Sequence, residues 1–167
     1  MRLIRLQEDS LEFEFTPDEK DLFLVLLDLY PVVPASHNRL NKKTGLPDAA
    51  ENQQLLEETL DSQRKENKRY LDTLVDEVSR FKKVEGGHGI TFTRAEMENL
   101  LQVLNDIRVG SWIALGSPLQ EQRARMLKEK KSLTYLMHMD LAGAFETYFL
   151  AAMNGDLPAA QPPGSGA

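Results

Sequence analysis

Two segments of the chain open with the same device. "EFTPDEKDLFLVLLD" (14–28) aligns with "TFTRAEMENLLQVLN" (91–105), so that Phe15 matches Phe92, Thr16 matches Thr93 and Glu19 matches Glu96. Apolar Phe23/Leu100, Leu24/Leu101, Leu26/Val103 and Leu27/Leu104 follow at helical spacing. A threonine three residues ahead of a glutamate is a capping box, in which each side chain accepts from the other residue's backbone N–H. Pro17 reinforces the first start, because its fixed φ suits the first helical position and no N–H is needed there. Both helices therefore begin at a defined residue, and both are entered from an alternating stretch that reads as a strand. A duplication and two independent uses of one local solution both account for the match; the physics of the cap is enough for the second.

The strands are short. "LEFEF" (11–15) keeps a strict period of two, the mark of a half-buried strand, while Leu3 and Leu6 of "RLIRL" (2–6) fall out of register. With "QEDS" between them a hairpin is the natural expectation, and "GITF" (89–92) offers a third strand. Pro31 and Pro34 end the first helix. Residues 31–47 form a loop rich in turn residues. Asp48 and Glu51 repeat the capping-box spacing and begin a long helix expected to reach about Lys83. Its ends carry Leu55, Leu56 and Leu60, then Leu71, Leu74, Val75, Val78 and Phe81, but "DSQRKENKR" (61–69) between them holds no apolar residue. A helix polar all round projects into solvent or is broken, so the middle is expected to extend beyond the core or to meet a partner. "EGGHG" (85–89) is read as the turn that follows.

A third helix spans Thr93 to about Leu115 and stops at Gly116 and Pro118. "LQEQRARMLKEKK" is helical and largely exposed. The last helix runs from about Ser132 to Met153, with Leu133, Met137, Leu141, Ala144, Phe145, Tyr148 and Ala152 as its apolar face and Asn154-Gly155 as its end. The expected fold is mainly α: four principal helices in an orthogonal or bundle-like domain, with a small antiparallel sheet from residues 2–6, 11–15 and 89–92. Residues 1–155 form one domain, and 156–167 a disordered Pro/Gly/Ala tail.

Composition narrows the chemistry. A chain of 167 residues fits one domain. It contains no cysteine, which excludes disulfides, thiol catalysis and cysteine-based metal sites. The opening residues lack a signal-peptide core and no apolar run approaches the ~20 residues of a membrane helix, so a soluble, cytoplasmic protein without a membrane partner is expected. The net charge of −6 opposes dedicated nucleic-acid binding. Its distribution is uneven, however: residues 1–30 carry eight acids against three bases, and "RARMLKEKK" (123–131) five bases against one acid.

Neither a metal nor a cofactor is expected. His37, His88 and His138 share no ligand spacing, "EGGHG" lacks the phosphate-loop patterns, and no serine sits in a nucleophile elbow. One polar group stands out inside an apolar helix, "LNDIRVGSWIALG" (104–116). Residues two apart on a helix point roughly 200° apart, so Asp106 and Arg108 cannot pair, whereas Asn105 and Arg108 lie side by side with Trp112 extending that face. Arg108 either reaches solvent along its apolar stem or meets an acid from another element, with Asp140, Glu146 and Asp28 as candidates. A register-fixing tie between helices and a binding arginine beside Trp112 are the two readings of this group.

The stretch "FTRAEMENLLQVLNDIRVGSWIALG", followed by "LAGAFETYFLAAM", resembles the C-terminal signature of an uncharacterised family of small bacterial helical proteins, a domain of unknown function. "FTPDEKDLFLVLLDLY" is similar to that family's N-terminal helix, and Asn105-Asp106-Ile107-Arg108 with Leu115-Gly116 is the sharpest match. The family's actinobacterial branch includes an oxidative-stress transcriptional regulator that acts through protein contacts and a cysteine pair. This chain has no cysteine, so that redox switch does not carry over.

Three functions from different classes follow. The leading expectation is a non-enzymatic protein working through protein–protein contacts or self-association, with a regulatory role, using the long helix 48–83 and the surface near Arg108 and Trp112. The second is a nucleic-acid-associated regulator with a basic face of Arg64, Lys65, Lys68, Arg69, Arg123, Arg125, Lys128, Lys130 and Lys131; the alternative for these residues is a solvated helix face. The third is a small-molecule site or enzyme built from Asp106, Arg108, His138 and Asp140, which requires one pocket joining the third and last helices.

Overall fold

The computed structural model describes residues 1–32, 49–76 and 80–158. Residues 33–47 of the loop read at 31–47, the Asp48 cap, His37, Val78 and the tail from Ala159 onward lie outside the described residues. Strands β1 (Arg2–Leu6) and β2 (Ser10–Phe15) lead into α1 (Pro17–Asp28) and α2 (Ala49–Asp76). Strands β3 (Lys82–Val84) and β4 (Gly87–Thr93) then lead into α3 (Arg94–Ala114), the short α4 (Arg123–Met126) and α5 (Lys130–Asn154).

The fold is mostly helical with a small antiparallel sheet, in the order β1-β2-β4-β3. It differs from the expectation in two counts: the described residues hold five helices, not four, and four strands, not three. The fourth strand, β3, takes Lys82 and Lys83, which periodicity had assigned to the long helix. β3 folds back onto β4 with Lys82 opposite Gly89 and Val84 opposite Gly87. Only Glu85 and Gly86 remain as the turn, so Gly87, His88 and Gly89 of the expected "EGGHG" turn are strand. Three exposed residues on a sheet edge leave no amphipathic signal for a sequence to show.

The hairpin forms as read. Leu3 pairs with Phe13, and a bulge between Leu3 and Arg5 resets the register. That bulge places Leu6 opposite Leu11, on the same face as Leu3, although the two are three residues apart; Leu3 is buried, while Leu6 at the end of the strand stays partly exposed. Both capping boxes close. The Glu19 N–H donates to Thr16 Oγ1 at 3.3 Å and the Thr16 N–H to Glu19 Oε2 at 2.9 Å. The Glu96 N–H donates to Thr93 Oγ1 at 3.2 Å and the Thr93 N–H to Glu96 Oε2 at 2.7 Å.

One face of the sheet carries Leu3, Leu11, Phe13, Phe15, Ile90 and Phe92 into the core. Phe23 of α1 and Phe145 and Phe149 of α5 meet it in an aromatic cluster: Phe13–Phe149 centroids lie 5.1 Å apart, Phe15–Phe23 5.3 Å and Phe23–Phe145 5.0 Å. Such pairs contribute roughly 0.5–1.5 kcal/mol each beyond the area they bury. α3 packs most extensively against α5. At Gly110 an added Cβ would come within 2.9 Å of Val32 Cβ, so only glycine lets the chain leaving α1 lie this close to α3.

The last helix is rotated relative to its expected face. Leu136, Ala142, Phe145, Phe149 and Ala152 are buried, while Met137 and Ala144 face solvent. α5 is apolar on nearly every side at its centre, so periodicity could not choose the buried stripe; the aromatic cluster chose it. The polar middle of α2 is met only in part by the rest of the fold. Most of its residues are exposed, as a stretch without apolar side chains requires, but one edge rests on the fold: Asn67 is buried and Gln63 Nε2 donates to Gln102 Oε1 of α3 at 2.9 Å.

Candidate functional site

Three of the concavities among the described residues bear on the residues that the sequence grouped together, and they separate them. The first lies between α2 and α3. It is a polar cleft of about 140 Å³ lined by Leu60, Gln63, Arg64, Asn67, Gln102, Asn105 and Asp106. The Tyr30 hydroxyl donates to Asp106 Oδ2 at 3.4 Å, and Asn67 Nδ2 donates to the Tyr30 oxygen at 3.4 Å. Both contacts are long for their type. Burial pushes the Asp106 carboxyl above its ordinary range, against the opposing pull of the Arg64 charge and the Tyr30 hydroxyl. Burial likewise raises the Tyr30 phenol. Arg64 Nη1 is buried among these groups without a hydrogen-bond partner.

The second concavity is a cleft of about 570 Å³ between α3 and α5, lined by Arg108, Val109, Trp112, Met139, Asp140, Gly143 and Thr147. Arg108 Nε meets Glu146 Oε2 of α5 at 3.0 Å, and Arg108 Nη2 donates to Asn105 Oδ1 at 2.9 Å. Glu146 is thus the acid that Arg108 finds. Trp112 Nε1 donates to the Pro118 carbonyl at 3.2 Å, which holds the chain after α3 against the cleft. Arg123 of α4 pairs with Asp140.

The third is a groove of about 620 Å³ between α1 and α5, lined by Leu22, Val25, Leu26 and Leu29 on one side and by Met137, His138, Leu141 and Ala144 on the other. It is strongly apolar. Leu22 is 49% exposed, Val25 63% and Met137 60%. Burial at its edge lowers the His138 imidazole below its ordinary value.

The residues proposed for catalysis are therefore dispersed. Asp106 lines the polar cleft, Arg108 the α3–α5 cleft and His138 the apolar groove, while Asp140 borders the last two. No one concavity among the described residues holds all four, and none of these residues forms a hydrogen-bonded nucleophile–base pair. Asn105 and Arg108 are joined, Trp112 shares a cleft with Arg108, and Asp106 turns to the other side of α3. Nor do three or more His, Asp or Glu side chains converge to hold a metal ion among the described residues.

The basic residues fall into two groups. Lys65 pairs with Asp61 at 2.8 Å and Lys68 with Asp72 at 3.3 Å, both on their own helix, so much of the α2 charge is neutralised locally. Arg64 is turned into the polar cleft and Arg69 is exposed. Arg125, Lys128, Lys130 and Lys131 are exposed on α4 and at the start of α5.

Leu22 and Val25 were not singled out by the sequence reading, and Met137 was read as core, although the signal for an exposed apolar face on α1 was present. Leu22 through Leu27 is an unbroken apolar run, and a helix apolar on all sides needs neighbours on all sides. α1 has the sheet and α5 on one side only. No family model matches the chain, and neither a curated protein nor a solved structure matches it. No helix among the described residues is long and apolar enough to cross a membrane.

Proposed function

We propose that this protein is a non-enzymatic binding module that works through protein–protein contacts made at the α1–α5 groove. The observation that carries this reading is the exposure of Leu22, Val25 and Met137 side by side along one concave, apolar surface. Contiguous exposed apolar surface on a water-soluble fold marks interaction sites. Dispersal of Asp106, Arg108, His138 and Asp140 over separate concavities supports the non-enzymatic part. The regulatory setting rests on the resemblance to the helical family alone, and the contact surface moves from the α2 middle and Trp112 to the groove.

A photo-crosslinking residue placed at Val25 or Met137 tests this in cells producing the chain. Adducts of higher mass are expected from both positions and none from Glu58, an exposed position on α2. Equal adducts from all three positions, or none from the groove, would overturn the proposal.

A further inference from the structure

The α1 wall of the groove is bordered by acidic side chains. On a helix of 3.6 residues per turn, Asp18, Leu22, Val25 and Leu29 form one stripe, and Asp21 and Asp28 flank it. All three aspartates are exposed, and none forms an ion pair among the described residues. A partner for this surface needs an apolar ridge bordered by positive charge.

The same chain presents such a ridge. In the segment 119–131, Leu119 is 69% exposed and Leu127 51% exposed. Arg125, Lys128, Lys130 and Lys131 surround them, exposed and without ion pairs among the described residues. This ridge stands at the end of the groove. Arg123 of α4 holds Asp140 on the groove wall, and Lys131 lines a smaller hollow together with Leu29, Thr134 and His138, which also line the groove. The acidic apolar surface and the basic apolar surface thus adjoin on one side of the molecule.

From this adjacency we infer that the occupant of the groove is a second copy of the chain, in an isologous dimer where segment 119–131 of each protomer lies along α1 and α5 of the other. Two adjoining, mutually complementary patches are what a twofold contact requires, because residue i meets residue j and j meets i across the axis. The apolar residues supply the affinity and the charges fix the orientation. This inference rests on the groove being the contact surface, and it adds the identity of the partner.

The test uses sedimentation equilibrium on the full chain and two charge variants, one carrying Asp21→Lys with Asp28→Lys and the other Lys128→Glu with Lys130→Glu. The wild type is expected to dimerise, with dissociation strengthened as salt rises from ~50 to ~500 mM. Each variant alone places like charges opposite one another twice over, so its dimer is expected to weaken by about tenfold or more. A one-to-one mixture of the two variants re-pairs every charge and is expected to regain the wild-type affinity to within about threefold. Recovery on mixing also shows that both variants are folded. A wild type that stays monomeric to ~200 µM, far above a micromolar dissociation constant, would overturn the second-copy inference. Adducts to a different protein from Val25 would then leave the groove itself standing as a contact surface. A dimer indifferent to both variants and to Val25→Glu would place the contact elsewhere and overturn both.

Discussion

Helices α1 and α3 start alike and are used differently. Each follows a strand, each is opened by a threonine–glutamate box, and each buries the same stripe: Phe23, Leu26 and Leu27 in one, Leu100, Val103 and Leu104 in the other. The outward stripes diverge. At the positions where α1 has Leu22, Val25 and Leu29, α3 has Asn99, Gln102 and Asp106. The polar stripe of α3 is met by the polar middle of α2, through Gln63–Gln102 and the Asn67–Tyr30–Asp106 contacts. On α1, Leu22 and Val25 stay exposed and Leu29 is only partly covered. A shared cap and inner stripe therefore specify where a helix lies, and the outer stripe specifies what it is for.

The largest effect expected from breaking this comparison comes from the shared inner stripe. Phe23→Ala and Leu100→Ala both remove fully buried side chains. They should cost about 3–5 and about 2–5 kcal/mol respectively in urea unfolding. A cost under about 1 kcal/mol at either site would mean that the two stripes are not equivalent.

The caps should separate the helices by a smaller margin. Thr16→Ala and Thr93→Ala are each expected to cost about 1 kcal/mol. Thr93→Ala should cost more, because the Glu96 carboxylate that closes its box also holds Arg80 at 2.8 Å, which in turn donates to the Thr91 carbonyl at 3.2 Å. Equal losses in thermal unfolding would remove Arg80 from the account.

The outer stripes give the smallest stability effects, and these should differ in kind. Burial raises the folded-state Asp106 pKa above its unfolded value. In the interval between the two values the folded chain binds more protons than the unfolded chain, so stability falls as pH rises through it. Asp106→Asn removes this penalty. It should raise the melting temperature at pH 7 by a small amount that vanishes below the ordinary carboxylate pKa of about 4. A gain that persists unchanged into acid would show that the carboxyl charge is not its source. On α1, Val25→Gln should change stability by no more than about 0.5 kcal/mol, as for other exposed positions, while it weakens self-association. Loss of fold instead would mean that Val25 is part of the core.

Much of this fold was legible, but not all of it in the same way. The hairpin, both capped helix starts and the Gly155 end of α5 depend on interactions within a few residues, and the chain displays them directly. The separation of Asp106 from Arg108 was legible for the same reason, since helical geometry alone forbids their pairing. Where the two side chains went was not. Glu146 was one of three acids that could have met Arg108, and Tyr30 and Arg64 reach Asp106 from elements remote in sequence. The polar middle of α2 signals solvent and is mostly exposed; the inward contacts of Asn67 and Gln63 were not legible, because the polar stripe on α3 that meets them is invisible until the two helices are packed.

The sequence by itself determined the hairpin, the capped starts of α1 and α3 and which side of these two helices turns inward, because caps and periodicity are properties of neighbouring residues. Tertiary structure alone decided the rotation of α5, the pairing of β3, the polar seam between α2 and α3, and the exposure of Leu22, Val25 and Met137. Each of these depends on how much neighbouring surface is available to cover a given face. That quantity exists only once the elements have been brought together.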